Sequence, residues 1–231
     1  MNIAGLQKVS LLDYPEKIAS TIFFQGCNFN CEYCYNKSLI SPQRSICLSE
    51  EYVLDFLRRR KKLLDAVCLC GGEPTSQDIK PFVRKIKELG YLVKLDTNGS
   101  NPYMLSDLIE ENLIDYVAMD IKSSESMYSR IIGVDFDISV ITKSMQIIIN
   151  SGIDYEFRTT VFDGLGLDDI FDIAGWLKEL SPDKKVKRYS LQRARDTGDI
   201  MFSPMSDDTL NDYAAVLKQV CEEVRIKGDG E

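Results

Sequence analysis

The sequence predicts an α/β fold, namely a partial (β/α)6 TIM-like barrel with parallel strands. Short apolar runs alternate six times with longer amphipathic segments along the 231 residues, a pattern typical of parallel sheets with right-handed crossovers. Six repeats fall short of a complete barrel, which has eight repeats and about 250 residues. Because no linker or composition break interrupts the pattern, we expect a single domain over residues 1–231, with an N-terminal extension (1–17) and a frayed tail (227–231).

The first predicted strand is the apolar run 18–24, and a polar, cysteine-rich loop follows it to residue 43. The first helix, 49–64, repeats apolar residues at helical spacing behind Ser49, a favourable N-cap. The second helix carries Pro81 in its first turn and Gly90 just past its end, as capping chemistry prefers. Strands are predicted at 66–70, 92–96, 116–121, 155–161 and 186–191, and helices at 79–89, 103–112, 140–150, 167–180 and 207–225.

Composition and charge exclude several classes of partner. The formal net charge is −8, whereas a nucleic-acid-binding protein usually presents a basic face to the phosphates. The one dense basic run, 58–62, lies within a predicted helix and is expected to form a solvated face. No apolar run approaches the roughly 18 residues needed to span a bilayer, and residues 1–10 lack the features of a secretion signal. We therefore expect a cytoplasmic protein that binds neither nucleic acid nor membrane.

The chain has seven cysteines and no histidine. An odd number of cysteines, three of them within residues 27–34, is a poor disulfide framework and favours metal binding or redox chemistry in a reducing compartment. Without histidine, a Ser-His-Asp or Cys-His nucleophile and a His-ligated zinc hydrolase are excluded. The chemistry must come from Cys, carboxylate, Lys, Arg or Tyr side chains, or from a cofactor.

Cys27, Cys31 and Cys34 follow the first predicted strand with C-x3-C-x2-C spacing. A [4Fe–4S] cluster takes four ligands, normally Cys, so three local thiolates would leave one iron open to a further ligand. A zinc site with Cys47 as fourth ligand is the alternative, and the spacing favours the iron–sulfur cluster. Tyr33 would help to shield the cluster from water. Three other cysteines are expected to be small apolar core residues: Cys68, Cys70 and Cys221.

Three further motifs follow predicted strands: Gly71-Gly72-Glu73-Pro74, Asp96-Thr97-Asn98-Gly99 and Asp120-Ile121-Lys122. In parallel α/β folds the carboxyl ends of the strands form the edge where ligands bind. Paired glycines permit close approach of a ligand to the backbone, and the Glu carboxylate could hold an ammonium group. Each motif has a purely structural alternative, a turn or a loop cap.

With its cysteine triplet after the first strand, the sequence resembles the radical S-adenosylmethionine superfamily over nearly the whole chain. The resemblance implies that the open iron chelates the amino and carboxylate groups of S-adenosylmethionine. An electron from the reduced cluster would then cleave the sulfonium to methionine and a 5′-deoxyadenosyl radical. It also implies that Gly71, Gly72 and Glu73 hold the methionyl amino group.

The Asp-Thr-Asn-Gly and Asp-x-Lys motifs are similar to those of glycyl-radical-enzyme activases. This resemblance implies that Lys122 contacts the ribose or the carboxylate of the cofactor, and that Asp96 and Asp120 contact the ribose or a bound monovalent cation. Arg158, on the fifth strand, could point towards the cofactor carboxylate or towards water. Gln192 follows the sixth strand, where some activases place a histidine against the cofactor; whether it makes such a contact is left open.

Residues 5–17 and the Gln-Gly-Cys-Asn-Phe-Asn-Cys stretch resemble activating proteins of anaerobic ribonucleoside-triphosphate reductase in particular, although Tyr35 stands where relatives often have His. The resemblance implies a glycyl radical enzyme as partner and a low-potential electron donor such as flavodoxin or ferredoxin. Two other interpretations stay open: a radical enzyme that modifies another peptide, a tRNA or a small molecule, and a non-catalytic zinc-stabilised binding module. The acidic composition disfavours tRNA.

Overall fold

The computed structural model describes residues 1–41, 47–194 and 205–228. Within these residues the strands are β1 (Ile3–Ser10), β2 (Ala19–Phe24), β3 (Ala66–Gly71), β4 (Leu92–Thr97), β5 (Tyr116–Asp120), β6 (Asp154–Val161), β7 (Val186–Arg193) and β8 (Cys221–Lys227). The helices are α1 (Glu50–Arg60), α2 (Lys80–Glu88), α3 (Pro102–Glu110), α4 (Tyr128–Ile132), α5 (Ile138–Asn150), α6 (Leu167–Leu180) and α7 (Asp207–Leu217).

The predicted α/β class is confirmed. The sheet order follows the chain from β1 to β8. Parallel pairing joins β2 to β3, β3 to β4, β6 to β7 and β7 to β8, while β1 is antiparallel to β2. All six predicted strand–helix repeats are present, beginning with β2 and α1 and ending with β7 and α7.

The chain divides into two compact units. Unit 1 comprises Met1–Asn28 and Asn36–Ala118, and it contains β1–β4 with α1–α3. One row of its sheet aligns Thr21, Cys68 and Lys94 in register, so these side chains share a face. Small side chains of the same sheet pack with Tyr14 and Tyr116 in a buried cluster.

Unit 2 comprises Phe29–Tyr35 and Met119–Glu231 and contains α4–α7 with β6–β8. Its sheet separates polar from apolar side chains, because alternate residues of a strand face opposite ways. Arg158 is in register with Ser190, while the neighbouring Phe157 is in register with Tyr189. Both Phe157 and Tyr189 are fully buried. The expectation of a single domain stays a prediction.

Two parts of the secondary structure were not predicted correctly. The predicted helix 207–225 ends at Leu217, and β8 follows it. The helix prediction is wrong there because Leu217, Val220, Cys221 and Val224 have helical spacing, whereas pairing with β7 determines the strand. Strand β1 lies within the predicted N-terminal extension and lacks clear alternation of buried and exposed residues.

Some shorter assignments also change. Gln192, expected after the sixth strand, lies inside β7. Lys227, expected in a frayed tail, ends β8, whereas residues 229–231 lie outside the described residues. None of the helices within the described residues combines the length and apolar character that crossing a bilayer requires.

Candidate active site

The first part of the cysteine loop belongs to unit 1. The Gly26 N–H donates to the Leu39 carbonyl at 2.8 Å and the Cys27 N–H to that of Ile40 at 3.3 Å, so a short 3-10 turn at Lys37–Leu39 holds the backbone at Cys27. Gly26 has a positive φ of 95°, and a Cβ added to it would meet nothing within 4 Å. The loop therefore has open space on this side.

The second part of the loop, in unit 2, is held by the end of α4. The Asn30 N–H donates to the Ile132 carbonyl at 2.8 Å and the Glu32 N–H to that of Ile131 at 3.3 Å. These carbonyls have no partner within the helix, because the last turn of any helix leaves them unpaired. The loop therefore supplies their hydrogen bonds and is fixed in return.

The second and third cysteines lie in this part of the loop, with a Cys34 N–H bond to the Cys31 carbonyl at 3.1 Å. Cys31 is buried and Cys34 is partly exposed. Burial raises the pKa of the Cys31 thiol, and the Lys122 ammonium opposes that rise. A cation close to a buried thiol favours the thiolate form that binds metals.

The glycine pair at the end of β3 is packed against backbone. A Cβ added to Gly71, whose φ is 110°, would lie 2.5 Å from the Phe24 nitrogen, and one added to Gly72 would lie 2.1 Å from the Gly26 oxygen. The Gly72 and Glu73 N–H groups donate to the Phe24 and Gly26 carbonyls at 2.9 and 2.8 Å. Both glycines thus allow the end of β3 to lie directly against the backbone that leads into Cys27. Their predicted contact with the cofactor stays a prediction.

Glu73 is buried, and four donors point at its carboxylate. Its Oε1 accepts from the Thr75 N–H, the Thr75 hydroxyl and the Thr97 hydroxyl, at 3.0, 2.6 and 2.8 Å, while its Oε2 accepts from the Asn98 N–H at 2.6 Å. Burial raises the pKa of Glu73, although these hydrogen bonds oppose the rise. The described contacts of Glu73 therefore join the ends of β3 and β4, and only Oε2 keeps acceptor capacity for a ligand ammonium group.

Asn98 is a site residue that the sequence analysis missed. Its side-chain nitrogen lies 3.9 Å from the Cys27 sulfur and 3.0 Å from the Asn28 side-chain oxygen. The Asp-Thr-Asn-Gly motif contained it, but an Asn-Gly pair is so common in turns that only a turn role was considered.

Asp96 pairs with a second residue that the sequence analysis missed, Lys94. The Lys94 ammonium lies 2.5 Å from the Asp96 carboxylate, and the Lys94 side chain is 3% exposed. A lysine inside an otherwise apolar strand was the available signal, because lysine is almost never fully buried without a partner. The roles predicted for Asp96 towards ribose or a monovalent cation stay predictions.

Asp120, Lys122 and Arg158 form a cluster in unit 2. The Lys122 ammonium lies 2.8 Å and the Arg158 Nε 2.7 Å from the two Asp120 oxygens. Burial alone would raise the pKa of Asp120, but Arg158 and Lys122 outweigh it and hold that pKa well below its ordinary value. The cluster keeps both signs of charge in one place, as binding of a zwitterionic ligand requires.

Tyr33 is buried among residues of unit 2. Its hydroxyl donates to the Lys122 carbonyl at 3.2 Å, and its ring centroid lies 5.1 Å from that of Phe162.

Gln192 is in register with Thr160 and Lys227 on the polar side of β6–β8, the side that carries Arg158. The predicted contacts of Tyr33, Arg158 and Gln192 with a cofactor stay predictions.

The residues present fit an iron–sulfur cluster. Thiolates are the ligands that such clusters take, an amide donor reaches the sulfur of Cys27, and a lysine ammonium acts on Cys31. Cys47, the proposed fourth ligand of the zinc alternative, is exposed, whereas Cys68 and Cys221 are buried as expected and Cys70 is partly exposed. Across residues 1–41, 47–194 and 205–228, no group of three Cys, Asp or Glu side chains is arranged to hold a single metal ion.

Comparison with known proteins identifies a superfamily and a relative that aligns with nearly the whole chain. The sequence profile of the Radical SAM superfamily matches residues 21–177. A protein from Methanocaldococcus jannaschii, provisionally named as a glycyl-radical enzyme activating enzyme, is 32% identical over 239 residues, which cover 97% of this chain and 95% of the relative.

Two solved structures show the same fold. A radical SAM methyltransferase from Sphaerobacter thermophilus has a TM-score of 0.74 at 15% identity, over 94% of this chain and 68% of that one. QueE from Escherichia coli has a TM-score of 0.60 at 16% identity, over 99% of this chain and 94% of that one. Identities this low show the fold alone, and that fold agrees with the predicted partial TIM-like barrel.

The profile match covers well over half of the chain, and the M. jannaschii relative aligns with nearly all of it. Enzymes matched by this profile use a [4Fe–4S] cluster and S-adenosylmethionine, so these two predicted cofactors are confirmed at the level of the family. The spacing of the cysteines and the similarity to relatives lead to the same result: the chain belongs to the radical SAM superfamily.

Proposed function

We propose that this protein is a glycyl-radical-enzyme activase whose partner is an anaerobic ribonucleoside-triphosphate reductase, and that it works as a single cytoplasmic domain. Support comes from the M. jannaschii relative, which is provisionally named as such an activating enzyme and aligns over 97% of this chain. The observation from the structure that carries the proposal is the cysteine loop, whose backbone is held by hydrogen bonds in each unit. In each unit, charged side chains also stand at the ends of strands.

Each set of residues has a role in this proposal. Cys27, Cys31 and Cys34 hold the cluster, and the strand-end residues bind S-adenosylmethionine. Once reduced by a donor of the flavodoxin or ferredoxin type, the bound cluster would supply the electron for reductive cleavage of S-adenosylmethionine, and this radical chemistry would remove a hydrogen atom from a glycine Cα of the partner. The protein orients the reacting groups and excludes water.

Charge placement explains how the chain would bind the cofactor. The Lys122 and Arg158 cations suit a ligand carboxylate, and the Asp96 and Asp120 carboxylates suit ribose hydroxyls or a monovalent cation. Because Asp120 already accepts from both cations, it holds them in place for the ligand. No protein general base is needed, since the abstracting species belongs to the cofactor.

The proposal is tested with protein purified and reconstituted without oxygen. After reduction with dithionite and addition of S-adenosylmethionine, 5′-deoxyadenosine is measured, and electron paramagnetic resonance detects a glycyl radical on added reductase. We expect both products. Formation of 5′-deoxyadenosine without a glycyl radical would contradict the partner and favour another peptide or small molecule as substrate.

The ligand assignment is tested with matched cysteine variants. Cys31→Ala should lose the cluster, whereas Cys221→Ala, which also removes a buried thiol of unit 2, should retain it. In unit 1 the corresponding pair is Cys27→Ala and Cys68→Ala. Iron and sulfide content per chain and the optical spectrum give the result. A cluster retained in Cys31→Ala, or zinc in place of iron, would refute the assignment.

A further inference from the structure

We propose that Asn98 is a positioning residue for the cluster: its side-chain amide donates a hydrogen bond to the Cys27 sulfur and thereby raises the reduction potential of the cluster. The inference rests on the proposed function, because it requires Cys27 to be a cluster ligand. It assigns to the Asp-Thr-Asn-Gly motif a role towards the iron–sulfur centre.

The orientation of the Asn98 amide is fixed by its neighbours. Its oxygen accepts from the Ser100 N–H at 2.9 Å, so the nitrogen must point the other way, towards Asn28 and Cys27. An amide nitrogen has two hydrogens, one for the Asn28 oxygen at 3.0 Å and one for the Cys27 sulfur at 3.9 Å. Asn98 is 5% exposed, so little water competes for these hydrogens.

The backbone of Asn98 is held by Glu73. The Asn98 N–H donates to Glu73 Oε2 at 2.6 Å, and the Thr97 hydroxyl donates to Oε1 at 2.8 Å. The Thr97 oxygen in turn accepts from the Gly99 N–H at 3.1 Å. One buried carboxylate thus holds Thr97 and Asn98 directly, and Gly99 through the Thr97 hydroxyl. Glu73 acts on the cysteine loop through Asn98 and is itself a positioning residue.

A hydrogen bond to a cluster sulfur has a definite electronic effect. Reduction adds negative charge to the cluster and its thiolates, and an N–H donor stabilises that charge, so such bonds raise the reduction potential. Removing the Asn98 donor should therefore make the cluster harder to reduce without removing any ligand. A purely structural role for Asn98 predicts no such change once the cluster is assembled.

The test measures the midpoint potential of the reconstituted holoenzyme by redox titration followed with electron paramagnetic resonance. In Asn98→Ala we expect the wild-type iron and sulfide content, a more negative potential and a severalfold lower ratio of reduced to oxidised cluster at a fixed poise. A tenfold change in this ratio corresponds to about 59 mV for a one-electron couple. If Asn98→Ala assembles poorly, Asn98→Leu serves instead, because it keeps about the same side-chain shape and adds no charge but has no donor.

Asn101→Ala is the matched control. Asn101 lies in the same segment, its oxygen likewise accepts a backbone N–H, that of Met104, and its nitrogen donates to the Thr75 carbonyl. Its loss should weaken the start of α3 and leave the potential unchanged. Equal potentials in wild type and both Asn98 variants would overturn the inference, as would an equal shift in Asn101→Ala.

The two proposals fail in different ways. If Cys27→Ala keeps a full cluster, Cys27 is not a ligand and the proposed site fails together with this inference. If Cys27→Ala loses the cluster while the Asn98 variants keep both the cluster and its potential, only this inference fails.

Discussion

Replacing Gly72 by alanine should displace the backbone that leads into the cysteine loop. The added Cβ would lie 2.1 Å from the Gly26 oxygen and 2.7 Å from the Gly26 carbonyl carbon. Neither atom belongs to a flexible side chain that could rotate away, so the backbone of one segment must move. That movement would also stretch the 2.8 Å hydrogen bond from the Glu73 N–H to the same Gly26 oxygen.

The magnitude follows from these two effects. Extra carbon in a well-packed region costs about 1–3 kcal/mol, and a lost backbone hydrogen bond adds about 0.5–1.5 kcal/mol. We therefore expect Gly72→Ala to lower the free energy of unfolding by about 1.5–4.5 kcal/mol. Gly26 directly precedes Cys27, so the displacement should also reduce the iron content after reconstitution.

Urea unfolding of the apo-protein, monitored by circular dichroism, measures the change without interference from cluster loss. Gly175→Ala is the matched control, since it adds the same methyl group in the middle of α6 where a Cβ meets nothing within 4 Å. Alanine favours helix over glycine by about 0.5–1 kcal/mol, so this variant should be slightly more stable. A Gly72→Ala protein within about 0.5 kcal/mol of wild type would refute the packing argument.

Two further substitutions test ion pairs of unit 2 by urea unfolding of the apo-protein. The pKa of Asp120 lies below its unfolded value of about 3.9, so its stabilisation is present above about pH 4 and is lost at lower pH. The difference in free energy of unfolding between wild type and Asp120→Asn should accordingly shrink from about pH 5 to about pH 3. A difference that does not change with pH would contradict the ion pairs of Asp120 with Lys122 and Arg158. Lys227→Met removes the ammonium group 3.1 Å from the buried Glu156; breaking a fully buried pair costs about 3–5 kcal/mol, and the partial exposure of Lys227 reduces the expected loss to about 1–3 kcal/mol. Lys218→Met, which changes an exposed lysine at the end of α7, should change stability by less than about 0.5 kcal/mol, and equal effects of the two substitutions would refute the pairing.

The strand–helix repeats could be predicted from the sequence because each strand is a short apolar run with a polar boundary. Helix α6 begins and ends where the spacing of its apolar residues predicted. The prediction failed where the local spacing of apolar residues indicated a helix but pairing with a distant strand determined the structure. Residues 217–224 satisfy helical spacing, and pairing of β8 with β7, from Val186 with Cys221 to Gln192 with Lys227, determines the strand. Pairing between segments that are distant in the sequence cannot be inferred from the residues of one segment alone.

The candidate site was predicted to the level of strand ends and no further. The predicted order of strands and helices shows which residues stand at the carboxyl ends of parallel strands. On this basis the motifs that contain Glu73 and Asp120 were assigned to the candidate site. The direction in which a side chain points was harder to predict. The alternation of residues on β6 allowed the Arg158 side chain to face either side of the sheet, and its 2.7 Å contact with Asp120 shows the side that it takes. Asn98 was missed because its partner Cys27 is distant in the sequence and comes close only in the folded chain. Lys94 did offer a signal, since a lysine two residues before Asp96 shares a face with it on an apolar strand.

Glu73 is where the resemblance and the geometry suggest different roles that one experiment can separate. If Glu73 acts by holding the cofactor's amino group, Glu73→Gln should weaken binding of S-adenosylmethionine and leave the potential of the cluster without cofactor unchanged. If it acts through Asn98, the amide nitrogen of Gln would face the Asn98 N–H that Oε2 now accepts, and the potential should fall.

A double-mutant cycle on the cluster potential decides the question. A shared route predicts that Glu73→Gln adds little once Asn98→Ala has removed the donor to Cys27, whereas independent roles predict that the two shifts add. The cycle needs no partner protein, and it is valid only if both single variants keep the wild-type iron content. Additive shifts would show that Glu73 affects the cluster by a route other than Asn98, because in the structure the described connection from that carboxylate to the Cys27 sulfur runs through the Asn98 backbone and side chain.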